Sequence, residues 1–488
     1  MACTTLLVGK KASYDGSTLI ARNDDNPTGV FQAKKHIVVE ASNVKKQYRS
    51  KISKIEIELE DKSLRYTCFP SVDNKNGIWA ASGINSKNVS MTATETITTN
   101  PRVQGGDPLL KIGNHKKGDI TYGGIGEEDL VVLVLPYISS AKDGVIRLGS
   151  LLEKYGTYES NGIAFSDKDE IWWLESIGGH NWIARRVKDE EYVVMPNQFG
   201  LDKFDFDDAY NAQKENMCSG SLKNLVKQYN LDLTLNGKFS PRLAFGSHDD
   251  SDHIYNTPRA WFMERYLNPK TFKWEGDDAD YAPESDDIPW SLVPERKITI
   301  EDVKYLLSSH FQGTEFDPYN KDVNNPNRNK YRAIGVNRTS VLTLAQIRDN
   351  VPSLLSSIMW FAFGSNVHNV LVPVFTNVDK MPSYFSNTTL KVSTDNFYWS
   401  SRLIGSLADP YFNSSAILLE RYSNKVMNYS HFILNKYDKF DNSLDEKELE
   451  KANDEIAKMV QEETDKTLND VLYVSSMHMK NSFSRSDN

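Results

Sequence analysis

The sequence predicts an α+β protein built on one large layered assembly of antiparallel sheet. Two observations lead there. Strand signals dominate residues 1–200, where four pairs of β-rich runs are separated by turn sequences. Helical periodicity is confined to separate segments, most of them later in the chain. At 488 residues the chain can bury one large core or two to three smaller ones.

Thr4–Val8 (TTLLV) is apolar and rich in β formers. Lys10–Tyr14, Asp15-Gly16 and Thr18–Ala21 follow, and Asp-Gly between two such runs is a hairpin signal. Cys3 is therefore expected to begin a strand that pairs with the one leading into Arg22. Gly77–Ala81 and Asn88–Thr94 flank Gly83-Ile84-Asn85 as a second hairpin candidate. Gly162–Ser166 and Ile171–Leu174 flank SDKDE as a third, and Ala184–Val187 and Tyr192–Met195 flank KDEE as a fourth. Helices are predicted over Asp129–Ser139, Val145–Tyr155, Pro258–Tyr266, Ile300–Ser309 and Ser353–Ala362. Asp277–Pro294, rich in Asp, Pro and Ser, and Asp317–Asn329, with five Asn and two Pro, read as loops. Leu444–Leu472 is charged, with Leu449, Ile456 and Val460 at helical spacing, which predicts a surface helix; Lys480–Asn488 is expected to be a disordered tail.

Composition narrows the function classes. The chain is 39% hydrophobic and 25% charged, as globular proteins are, and its net charge of −9 argues against non-specific nucleic-acid binding. No apolar run approaches the ~18 residues that a membrane span needs. TTLLVG is too short for a signal-peptide core and follows no basic region, so a cytoplasmic location is expected. Cys3, Cys68 and Cys218 form no CxxC pair and are odd in number, which suits reduced thiols. His180, His248, His253 and His310 include no HExxH and no i, i+4 pair on a predicted helix. No metal and no cofactor is expected.

Cys3 has a chemical option that internal cysteines lack. Once Met1 and Ala2 are removed, its own α-amine, of pKa about 8, can accept the thiol proton at neutral pH. Base and nucleophile then belong to one residue. An arginine nearby would hold the thiolate, and a carboxylate would orient the amine. Arg22 and Asp25 can take these places if the first hairpin folds back.

CTTLLVGKKASYDGSTLIARNDD closely resembles the start of bacterial dipeptidases of the N-terminal-nucleophile (Ntn) hydrolase superfamily. The resemblance continues through GINSKNVSMTATET, GGIGEEDLV, DEIWWLESIGGHNWIARRV, YVVMPNQF, YNTPRAWFMERYLNP, SSHFQGTEFDPY, RAIGVNRTS and NFYWSSRLIGSLAD. It implies a four-layer αββα sandwich over residues 3–410, a two-residue propeptide at 1–2 and a helical extension over 411–488. The superfamily's cysteine amidases, which act on bile salts and penicillin V, carry Arg-Asn-x-Asp where this chain has Arg22-Asn23-Asp24-Asp25. That implies a thiol-supporting role for Arg22 and an amine-orienting role for Asp25. Their catalytic asparagine corresponds to Asn197 and their second arginine to Arg259. Their oxyanion-hole asparagine falls near Glu95, and a glutamate cannot donate a hydrogen bond unless protonated. Another donor is then needed, Asn197 or a backbone N–H near Thr94–Thr96. Glu95 becomes a candidate for a substrate's amino group.

Glu127-Glu128-Asp129 reads as a helix N-terminus whose acids favour the dipole, or as further amino-group recognition. Trp172 and Trp173 alternate across a strand, so one ring is expected in the core and the other, Trp173, against the substrate. Arg338 can bind a substrate carboxylate or serve an ordinary ion pair. Together these readings imply a cysteine dipeptidase acting on short unmodified peptides through a thioester, and a homo-oligomer. An N-acyl amide hydrolase of the same superfamily, or a non-enzymatic binding protein on its scaffold, fits the same residues.

Overall fold

The computed structural model describes residues 3–42, 46–113, 120–439 and 444–481, so Met1, Ala2 and residues 482–488 of the expected tail lie outside the described residues. Two large antiparallel sheets form the centre. The first runs Ser291–Leu292, Tyr192–Met195, Thr4–Val8 (β1), Thr18–Asp25 (β2), Thr339–Ile347, Ser357–Phe363, Val372–Phe375. The second runs Asn216–Cys218, Trp182–Val187, Ile171–Ser176, Asn161–Ser166, Ser90–Thr92, Ser82–Asn85, Tyr66–Cys68, Ile37–Val39, with Glu95–Thr96 added beside Asn161–Gly162. The sheets face each other. Thr5 on β1 donates to Glu95 on the second sheet at 2.8 Å, and Arg22 on β2 donates to the Thr94 carbonyl at 2.8 Å.

The pleat explains how one strand serves two layers. In Ile171–Ser176, Trp172 and Leu174 pack with Val145, Leu148 and Leu152 of the helix Ala141–Tyr155, while Ile171 and Trp173 fill the space between sheets. That helix starts where the Ser140 side chain accepts the Asp143 N–H and ends at Gly156, whose φ of 69° suits only glycine well. On the far side, the helices Thr257–Leu267, Ile300–Leu307 and Phe397–Ala408 lie against the first sheet. Among the described residues no helix is long and apolar enough to cross a membrane.

The first hairpin forms as expected: β1 and β2 pair antiparallel, with Thr5 opposite Arg22 and Thr4 opposite Asn23. The third hairpin and the helices near 129, 145, 258 and 300 also form, with ends shifted by a few residues. Three expectations are corrected. Gly83-Ile84-Asn85 belongs to a strand rather than a turn. The chain reverses at Asn85–Asn88, where the Asn85 side chain accepts the N–H groups of Lys87 and Val89 and Asn88 adopts φ 57°. Ala184–Val187 and Tyr192–Met195 do not pair with each other; they enter different sheets, and Tyr192–Met195 lies beside β1. The turn between them presses on Gly9, where a Cβ would come within 2.4 Å of the Lys188 carbonyl. Ser353–Ala362 is mainly the strand Ser357–Phe363, not a helix. It is buried on both faces, so its apolar residues run continuously and mimic a buried helix segment.

The last two helices, Phe412–Asp438 and Glu446–Met477, pack on each other and on the edge strand Val372–Phe375. Leu449, Ile456 and Val460 are fully buried, so this charged helix has a genuine core face. Asn453 fixes its position: its side chain accepts the Phe375 N–H and donates to the Phe375 carbonyl, both at 2.9 Å. Asn453→Ala leaves both backbone groups buried and unpaired, and is expected to lower unfolding free energy by about 2–4 kcal/mol. Urea denaturation of the two proteins checks this, an unchanged midpoint being the contrary result.

Candidate active site

Cys3 stands immediately before β1, in the middle of the first sheet, with its side chain fully buried. Opposing residues of an antiparallel pair share a face, so the fold-back of β2 sets Arg22 beside the start of β1. Arg22 Nη2 lies 2.9 Å from Cys3 Sγ and 2.8 Å from Glu127 Oε1. Nη1 donates to Asp24 Oδ1 at 3.0 Å and to the Ala81 carbonyl at 3.3 Å, and Nε to the Thr94 carbonyl. All five N–H directions of the guanidinium thus meet an acceptor. Lys34 Nζ lies 3.0 Å from the other Asp24 oxygen and donates to the Trp79 carbonyl at 2.6 Å.

A second arginine organises the opposite side. Arg259, near the start of Thr257–Leu267, donates to the Cys3 carbonyl, to Thr4 Oγ1 at 2.7 Å, to Asn256 Oδ1 at 2.7 Å and to Asn197 Oδ1 at 2.8 Å. The Asn197 side-chain nitrogen donates to the Thr96 carbonyl at 2.9 Å. Asp25 joins this side of the cluster but not the sulfur: its carboxylate is held by Arg332 and Thr339, each at 2.5 Å.

Burial decides the electrostatics. It raises the Cys3 thiol above its ordinary value although Arg22 opposes the shift, so the enclosed thiol stays protonated. Burial would also raise Asp24, but Lys34 and Arg22 hold that carboxyl below its usual range. Burial pushes Glu95 up to about 8 against the pull of Arg259 and Arg22, and also raises Glu127 against Arg22. The Glu95 Oε2 accepts from Thr5, while Oε1 is buried without a partner. Near neutral pH Glu95 is therefore largely protonated, the condition under which a glutamate can donate.

Cys3, Arg22, Asp25, Glu95, Glu127, Asn197 and Arg259 come together in this cluster. Glu128 turns away, accepting from Tyr158 at 2.5 Å and Ser50 at 3.2 Å, and burial with Asp129 beside it raises its carboxyl to about 8. Trp173 is fully enclosed between the sheets and donates to Glu175 at 3.0 Å, so both tryptophans are core. Arg338 donates to Tyr255 Oη at 2.8 Å. Tyr255, Asn197, Thr96 and Asn256 line a cleft of about 440 Å³ that opens beside the cluster, and Asp249 and Asp252 also line it. Sequence reasoning missed Lys34, Thr5 and Arg332. Arg332 lies in the quoted RAIGVNRTS stretch, but nothing local marks Lys34 or Thr5. Among the described residues no group of three or more His, Cys, Asp or Glu side chains is gathered as metal ligands.

Comparison with known proteins agrees in extent. The profile of peptidase family C69 matches residues 2–425. A dipeptidase of Bifidobacterium longum (strain NCC 2705) is 48% identical over 533 aligned positions that cover all of both chains. A probable dipeptidase A of Streptococcus pyogenes serotype M3 (strain SSI-1) is 49% identical over 488, again covering both chains entirely. Dipeptidase A of Lactobacillus helveticus is 44% identical over 452, covering 92% of this chain and 90% of its own.

The Lys34–Asp24–Arg22 chain makes a stability prediction. A carboxyl with a depressed folded-state pKa stabilises above its unfolded pKa, about 3.9 for Asp, and that contribution is lost as pH falls through the folded value. Lys34→Met leaves a buried carboxylate half-compensated and should cost about 3 kcal/mol. It should also raise the folded pKa of Asp24, so acid unfolding begins at a higher pH. Circular dichroism during acid titration of both proteins measures the two effects.

Proposed function

The chain belongs to peptidase family C69 and is a hydrolase of peptide bonds, and from this premise we propose that it is a dipeptidase whose nucleophile is Cys3. The single observation that carries the reading is the 2.9 Å contact between Arg22 Nη2 and Cys3 Sγ at the head of a central strand. The layered sheets fit the αββα arrangement of the Ntn hydrolases, with residues 3–410 as the catalytic unit and 411–488 as a helical extension of it.

Removal of Met1 and Ala2 frees the α-amine of Cys3 and opens the space around its thiol. The amine takes the thiol proton, and Arg22 stabilises the thiolate. Asp25, fixed by Arg332 and Thr339, orients the ammonium. The thiolate attacks the peptide carbonyl and a tetrahedral oxyanion forms. Asn197, and Glu95 in its protonated form, are the donors within this cluster that can stabilise it. The ammonium then protonates the leaving amine, and a thioester remains. Water deprotonated by the α-amine releases the acyl group. Glu127, which shares Arg22 with the thiol, and Glu95 in its ionised form are the acids that can meet a substrate's free amino group. That favours an unmodified dipeptide over an N-acylated amide.

Cys3→Ala is expected to cut dipeptide turnover at least about 10³-fold with the fold intact, as the loss of a nucleophile does; near-normal turnover would end the proposal. N-acetylated dipeptides should be poor substrates, and equal turnover of blocked and free peptides would favour an acylase. Intact mass and N-terminal sequencing of the active protein should find Cys3 first. Full activity with Met1 and Ala2 in place would remove the α-amine as the base. Glu95→Gln separates the two roles of that acid: as oxyanion donor the amide should retain kcat, whereas as amine anchor KM should rise.

A further inference from the structure

Away from Cys3, the helices Ile300–Leu307 and Phe412–Asp438 and the loop 364–369 enclose a groove of about 520 Å³. Lys304 is the one lysine or arginine among its lining residues. The ammonium donates to the Asn366 carbonyl at 2.6 Å and to Ser308 Oγ at 3.1 Å, which uses two of its three protons. Among the described residues no carboxylate pairs with it. Burial, unopposed by any acid, pushes the amine down to about 7.

The acids of the groove are otherwise engaged or remote. Glu301 receives His431 at 2.7 Å, Asp302 receives Arg296 at 2.6 Å and Tyr266 at 2.7 Å, and Glu420 stands exposed at the rim. Beside the lysine, His368 is 3% exposed and its Nδ1 has no partner. The helix Phe412–Asp438 contributes apolar Phe412, Leu419 and Met427 to the lining, with polar Ser423 and Asn424 among them. A half-buried lysine without a carboxylate partner, in a groove with apolar stretches of lining, suits a small organic anion, whose charge favours the protonated amine.

We propose that this groove is a second ligand site that binds a small monocarboxylate with an apolar body. The carboxylate sits on Lys304 as its missing counter-ion, and the body lies against Phe412, Leu419 and Met427. The site is separate from the hydrolytic cluster. Lys304 connects to it through Asn366, whose side chain donates to Asn23 Oδ1 at 2.9 Å on the strand that carries Arg22.

The test uses 4-methylpentanoate as the probe, which has no peptide bond, and 4-methylpentanamide as its neutral isostere. Saturation-transfer NMR and calorimetry follow binding to the full-length protein. Wild type should bind the carboxylate, and Lys304→Met should weaken it at least about tenfold, the worth of a charge-assisted hydrogen bond. The amide should bind as weakly to wild type. Met427→Trp, which fills the groove from the helix Phe412–Asp438, should also abolish binding and does not depend on Lys304→Met folding normally. Absence of binding to wild type overturns the proposal, as does equal binding by both variants, or by the amide.

Discussion

Everything around Cys3 depends on burying the Arg22 guanidinium completely. A charge removed from water is tolerated only when its hydrogen bonds are met and opposite charge lies close. Arg22 meets both conditions with acceptors from several places: the carbonyls of Thr94 and Ala81, the carboxylates of Asp24 and Glu127, and the sulfur of Cys3. No one stretch of chain could supply them. The two sheets must therefore face each other at this point, and the helix Glu127–Val134 must start against the same spot.

The cluster is close to electrically balanced, and that balance sets its behaviour. Arg22, Lys34, Arg259 and Arg332 stand against Asp24, Asp25, Glu95 and Glu127. Burial favours the neutral form of Glu95 and of the thiol, so the enclosed cluster tends toward positive charge. On the mechanism proposed above, the thiol proton stays within the cluster on the α-amine, so that surplus persists when the thiolate forms. In that proposed mechanism the same buried positive surplus would favour the oxyanion of acyl transfer.

Local chemistry was legible in the sequence where it was also local in the fold. The Asp-Gly signal placed β1 beside β2, and hence Arg22 beside Cys3, because a hairpin is decided by its own residues. The motif resemblance located Asn197, Arg259 and Glu95, and all three reach the cluster. What stayed hidden was decided by tertiary burial. Ser357–Phe363 read as helical because a strand covered on both faces loses its alternation. Ala184–Val187 and Tyr192–Met195 read as a hairpin because nothing in KDEE reports that the chain changes sheet there. Nothing local marked Lys34; its significance comes from Asp24, which folding brings to it. Trp173 was expected against the substrate, but the gap between the sheets is filled by its ring.

The position of β1 has a consequence for the order of assembly. Its two neighbours are β2, close in sequence, and Tyr192–Met195, almost the whole second sheet later. Asp25, at the end of β2, waits still longer for Arg332 and Thr339. During synthesis the residues around Cys3 therefore emerge early and remain without most of their partners until far more of the chain has followed. Long-range topology acts as a timer: the surroundings of Cys3 cannot be completed until the chain has been made as far as Thr339.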